Sequence, residues 1–169
     1  MILGLTPMVS FHTAISLVGI ASGFVVMRGM LEGKRLGRWT ALFLVTTVLT
    51  SVTGFLLPFF VLLPSHKIGI LSLVVLVVAI VALYGKHLAG RWRWIYVVTA
   101  MLAQYFNVFV LVVQLFRRIP TLQALAPRQT EPPFAVAQVI VLGLFVWFTI
   151  AAVKRFRIEP AFDGRRDPA

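Results

Sequence analysis

Apolar positions in this chain come in unbroken blocks; they do not alternate with polar ones. Five blocks, residues 8–27, 41–63, 68–84, 94–116 and 134–153, contain no Asp, Glu, Lys or Arg. A helix needs about 20 apolar residues to cross the hydrocarbon layer of a bilayer, and each block approaches or exceeds that length. The third is the shortest and is expected either to run on into residues 85–88 or to tilt little. A transmembrane β-barrel would show a polar residue at every second position, which the run Leu73-Val74-Val75-Leu76-Val77-Val78-Ala79-Ile80-Val81 does not. Backbone groups inside lipid must be satisfied within their own segment, so these blocks predict helices. The predicted architecture is all-α: a five-span transmembrane bundle over residues 1–157, followed by a tail over 158–169. The first block has no basic residue ahead of it and no A-x-A cleavage site, and it reads as a retained helix.

Composition agrees with the pattern. Hydrophobic residues make up 60% and charged residues 12%, with a mean hydropathy of +0.96. That charged share is about half the soluble average. A disordered chain is excluded, and the absence of cysteine excludes a disulfide scaffold and thiolate chemistry.

The net charge of +11 acquires meaning from where the basic residues fall. Arg28, Lys34, Arg35 and Arg38 follow the first block; Lys86, Arg91 and Arg93 follow the third; Lys154, Arg155, Arg157, Arg165 and Arg166 follow the fifth. The opposite side has only Lys67, Arg117, Arg118 and Arg128. Basic residues accumulate on the cytoplasmic side of membrane helices, so the N-terminus is expected outside and the C-terminal tail in the cytoplasm. Trp39, Trp92 and Trp94 fall at the cytoplasmic boundary, as an interfacial belt would. This explains the charge without nucleic acid, and attraction to anionic lipid head groups is the expected consequence. The 117–133 connection contains Pro120, Pro127, Pro132 and Pro133 and is expected to form a stiff, extended cap.

Polar side chains inside hydrocarbon are costly, so their positions are informative. His12, Ser16, Gly19 and Gly23 share one face of the first helix. They are compatible either with close helix packing or with a groove under His12 that admits a flat cofactor. The second helix is rich in Thr and Ser, whose hydroxyls can bond back to the preceding turn, and Pro58 should kink it. Gln104, Asn107 and Gln114 form a stripe on the fourth helix, suited to interhelical hydrogen bonds, a polar path or a quinone-contacting face. His12, His66, Gln114, Gln129, Glu131 and Gln138 all fall toward the outer side. His12, Gln138 and Glu131 are expected to line one cavity there, lidded by the 117–133 loop. His87 lies among cytoplasmic basic residues and reads as a solvated interfacial group.

Imidazole ligates haem iron, zinc and copper. His12 and His66 are therefore candidate axial ligands for a haem b, or metal ligands together with Glu131. Gln114, Gln129, Gln138 and Glu131 would form the surrounding pocket, and Lys67, Arg117, Arg118 or Arg128 could pair with propionates. No Walker loop, nucleophile elbow or H-E-x-x-H motif is present. A hydrolase built on paired intramembrane carboxylates is excluded, because the five blocks contain none.

Three stretches carry a resemblance: Thr50-Ser51-Val52-Thr53-Gly54-Phe55, the segment from Asn107 to Gln114-Leu115-Phe116, and Ala126-Pro127-Arg128-Gln129-Thr130-Glu131-Pro132-Pro133-Phe134. They resemble small bacterial polytopic inner-membrane proteins of no settled activity. The resemblance implies a bacterial inner membrane and no mechanism. The layout of helices and histidines is also loosely similar to that of small membrane b-type cytochromes. Three classes follow: a redox or cofactor-binding protein using His12 and His66; a carrier or channel for a small neutral or lipid-like molecule using the Gln104–Asn107–Gln114 face; and an accessory subunit, in a homo-oligomer or a larger membrane complex.

Overall fold

The structure, a computed structural model, describes residues 7–56 and 64–157, the side chains of 64–66 excepted. Helix α1 spans Pro7–Leu31, α2 Gly37–Leu56 and α3 Pro64–Ile80, which continues as a π turn over Val81–Gly85. Helix α4 spans Trp92–Arg118, α5 Pro120–Leu125 and α6 Pro132–Arg155. No strand occurs among the described residues.

The helix ends follow from local chemistry. Proline begins α5 and α6, where its missing N–H and fixed φ cost nothing. Helix α1 stops at Gly33, whose φ of +72° is open to glycine and strained for other residues. There the Gly33 amide donates to the Met30 carbonyl at 3.2 Å and the Lys34 amide to Gly29 at 2.8 Å, the paired bonds of a Schellman stop. Helix α4 ends because Ile119 precedes Pro120 and adopts an extended conformation.

Among the described residues, five helices are long and apolar enough to cross a membrane: Pro7–Leu31, Gly37–Leu56, Lys67–Gly85, Trp92–Arg118 and Pro132–Arg155. They point to a multi-pass membrane protein. The third runs on to Gly85, the first residue of the expected extension, and turns from Lys86 onward. Pro58 and the tail 158–169 lie outside the described residues. The 117–133 connection differs from the extended cap expected of it, because residues 120–125 close a short helix, α5, instead. Pro120 at its first position favours the helical turn, and the next proline comes only at 127.

Helices α1, α2, α3 and α4 pack in a ring in which each touches the next and α4 closes back on α1. Helix α6 lies outside that ring, against both α4 and α1. The interior contains Met30, Phe43, Leu76, Val97 and Met101, all fully buried. Helix α4 buries nine residues, α6 only Gln138, Phe145 and Ala152. One end of the bundle gathers the α1–α2 connection, the α3–α4 connection and the end of α6, with Arg28, Lys34, Arg35, Arg38, Lys86, Arg91, Arg93, Lys154, Arg155 and Arg157. We refer to it as the basic end. The other, the histidine end, has His12, the start of α3 and the α4–α6 connection.

Candidate functional site

The polar residues inside the spans form two separate groups. The first joins α1, α2 and α4. Gln104, 1% exposed, projects from the middle of α4 into α1. Its Nε2 donates to the Ile20 carbonyl at 2.9 Å. Its Oε1 occupies the space a side chain at Gly23 would need: a Cβ built there would lie 2.0 Å away. Gly23 is thus a notch cut for Gln104. Oε1 has no hydrogen-bond partner among the described residues. One turn further along α4, Asn107 Nδ2 donates to Thr47 Oγ1 of α2 at 3.1 Å. A Cβ on Gly19 would sit 3.2 Å from Thr46 Oγ1. The glycines below His12 are therefore filled by Thr46 and Gln104. Of the two arrangements the glycine pair allows, close helix packing matches these neighbours.

Toward the histidine end of the same seam, His12 Nδ1 lies 2.8 Å from Thr53 Oγ1. The Thr53 hydroxyl already donates to the Leu49 carbonyl at 2.7 Å. While that bond is kept, its oxygen accepts from His12, which needs the ring proton on Nδ1 and leaves Nε2 with its lone pair; the opposite tautomer reverses the roles. The ring edge rests on Gly54, where an added Cβ would meet Cε1 at 3.5 Å.

The second group joins α4, α6 and their connection. Gln138 Nε2 donates to the Phe109 carbonyl at 3.3 Å, and Gln129 Nε2 donates to the Val113 carbonyl at 2.9 Å. Both cross onto the α4 backbone, one from α6 and one from the loop. Gln129 reaches it from a left-handed conformation, φ +58°. The Glu131 carboxylate accepts from the amides of Arg128 at 3.1 Å and Thr130 at 3.0 Å, tying the loop to itself. Phe116 and Phe134 pack edge to face below it, centroids 5.3 Å apart. Gln114 is 3.5 Å from Arg118 Nε on the same helix.

The residues expected to share one outer cavity thus bond to three different elements: His12 to α2, Gln138 to α4 and Glu131 to its own loop. No hydrogen bond links any two of them. The amides of Gln104 and Asn107 point together toward α1 and α2, whereas Gln114 pairs along its own helix. His66 lies in the first turn of α3, and its side chain is outside the described residues. No group of three His, Asp or Glu suited to a metal occurs among the described residues. His87, with φ +48°, is exposed in the α3–α4 connection.

Two features escaped the sequence reading. One is the pair of hydroxyl partners that α2 supplies, Thr47 for Asn107 and Thr53 for His12. The run of threonines in α2 was a visible signal, but one helix cannot reveal which hydroxyls face a neighbour. The other is an open cleft of about 500 Å³ at the basic end, lined by Arg93, Val153, Lys154 and Arg157. No family model, curated protein or solved structure matches the chain.

Proposed function

We propose that this chain is a non-catalytic accessory subunit of a larger membrane complex. The observation that carries this reading is how the intramembrane polar groups are spent. Gln104, Asn107, His12 and Gln138 all bond to another helix of the same chain. A carrier needs polar groups free to meet a solute, and a cofactor needs room. Here each of the four side chains spends one nitrogen on a bond within the chain. The oxygens left without a partner among the described residues, Gln104 Oε1 and Gln138 Oε1, are buried in the packing. Helix α6 meanwhile turns Val139, Ile140, Val146 and Trp147 outward, each at least half exposed. That face suits lipid or a helix of a partner. Solubilising the membrane in mild detergent tests the reading: comigration with a different, larger chain supports it, and migration alone refutes it.

A second reading rests on one observation, the contact of His12 Nδ1 with Thr53 at 2.8 Å. In the tautomer that carries its proton on Nδ1, Nε2 is oriented and has the lone pair with which imidazole binds a metal. His66 would then supply the second ligand of a haem b. An intense Soret band in the purified protein would support this reading, and a colourless preparation would end it.

We further propose the bacterial inner membrane as its place, with the N-terminus outside and the C-terminus inside. The distribution of basic residues supports that orientation. A cysteine substituted at Asp167 should resist an impermeant thiol reagent in intact cells, and labelling there would reverse the topology.

A further inference from the structure

The basic end contains a cleft that the packing reading leaves unexplained. It lies between the first turn of α4 and the last turn of α6, and three of its four lining side chains are cationic: Arg93, Lys154 and Arg157. Like charges facing one recess repel, so the arrangement calls for an anion. None of the three has an ion-pair partner among the described residues. The one described carboxylate at this end, Glu32, is already held by Arg28 at 2.8 Å and Lys34 at 2.9 Å.

The cations are also placed with care. Lys154 near the C-terminus of α6 suits the helix dipole, but Arg93 in the first turn of α4 opposes it. The half-buried Arg93 guanidinium is fixed by donating to the Phe156 carbonyl. Phe156 is itself buried, packs against Tyr96 at 6.2 Å between centroids, and bonds back to Ala152 at 2.8 Å. That anchor turns the chain after α6 so that Arg157 reaches the cleft. The cleft is open, and Trp92 and Trp94 flank Arg93 in sequence; Trp94 is 45% exposed. Exposed tryptophan at a helix end marks head-group depth.

From these features we propose that the cleft binds the phosphate of an anionic phospholipid, with Arg93, Lys154 and Arg157 as its cationic contacts. Guanidinium groups engage phosphate oxygens in pairs, and the lysine adds a point charge. The site is a discrete lipid position, distinct from the diffuse attraction of a basic surface. It rests on the chain spanning a membrane and is independent of the accessory-subunit reading.

Native mass spectrometry of the detergent-purified protein tests it, with phosphatidylglycerol and phosphatidylcholine of identical acyl chains as probes. The wild type should retain phosphatidylglycerol preferentially. Both Lys154 and Arg157 are exposed, so Lys154→Gln/Arg157→Gln should fold normally, checked by its helical circular dichroism. This variant should lose affinity for phosphatidylglycerol by roughly thirty-fold, taking ~1 kcal/mol for each charge. Arg117→Gln/Arg118→Gln, at the opposite end, should bind as the wild type does. Equal retention of the two lipids by the wild type would overturn the proposal, as would equal loss in both variants. Displacement of the lipid by inorganic phosphate at the same concentration would assign the site to free phosphate and overturn the lipid assignment. Comigration with a larger chain is read in a separate experiment, so the failure of either idea leaves the other standing.

Discussion

Helices α4 and α6 are of similar length and both are apolar enough to span a membrane, yet they occupy opposite situations. Helix α4 is a member of the ring and touches α1, α3 and α6. It places Gln104, Asn107, Tyr96 and small alanines on its packed sides. Helix α6 buries one side chain every turn or two, at Gln138, Phe145 and Ala152, and is otherwise covered with Val, Ile, Leu, Phe and Trp. A glycine packed against α4 and one carried by α6 differ in the same way. Gly23, facing α4, would clash with Gln104 if given a Cβ, whereas Gly143 of α6 has nothing within 4 Å of that position. Because lipid tails are as apolar as leucine, hydropathy cannot distinguish interior from exterior here. Small and polar residues mark the interior.

The largest effect that could break this comparison comes from filling the notch. Gly23→Leu should destabilise the bundle by about 3 kcal/mol, the upper end for overpacking, because Gln104 must leave its place. Reversible unfolding in mixed micelles measures it. Gln104→Ala in the same chain should recover much of that loss, since the leucine then fills the vacated space. Failure of the rescue would mean that Gly23 answers to something other than Gln104. Next in size is the interhelical bond of Asn107. A double-mutant cycle on Asn107→Leu and Thr47→Val should return about 0.6 kcal/mol of coupling, the average for such bonds in membranes. The corresponding change on the outer helix is smaller. Gly143→Ala should leave the unfolding free energy within about 0.5 kcal/mol, as expected where a new methyl meets no neighbour. A large loss there would place α6 inside the monomer's core.

The smallest effect lies in the connection after α1. Hydrogen bonds from Arg28 and then Lys34, with the charges of both, hold the Glu32 carboxyl down to about 2. A carboxyl whose pKa is lowered on folding contributes above its unfolded value and loses that contribution as the pH falls through the folded one. The connection should therefore stay intact at pH 4 and release near pH 2, read from the Glu32 carboxyl resonance by NMR. A midpoint near 4.5 would show that the pairing is not made in solution.

Much of this was legible in the residues. Uncharged apolar blocks located all five spans, since nothing else satisfies a backbone in lipid, and the spacing of Gln104 and Asn107 placed both on one side of α4. The partners were not legible. Gly23 and Gln104 fit together only because α1 and α4 are neighbours, and no local pattern encodes that neighbourhood. For the same reason the outer polar residues, alike in depth, could not be sorted into the α1–α2 pair of His12 and Thr53 and the α4-facing Gln129 and Gln138. Helix α5 was hidden by the prolines around it, which stop helices and start them equally well. The basic cleft was hidden by a sufficient explanation, because interfacial charge already accounted for Arg93, Lys154 and Arg157 one at a time.

Site-specific photocrosslinking in the native membrane tests the central claim most directly. A photoreactive residue at Trp147, 63% exposed on α6, is compared with one at Leu17, 53% exposed on α1. A discrete crosslink from position 147 to a different protein is expected, with only lipid adducts from position 17. Lipid adducts alone at both positions, or a crosslink only to a second copy of this chain, would contradict it.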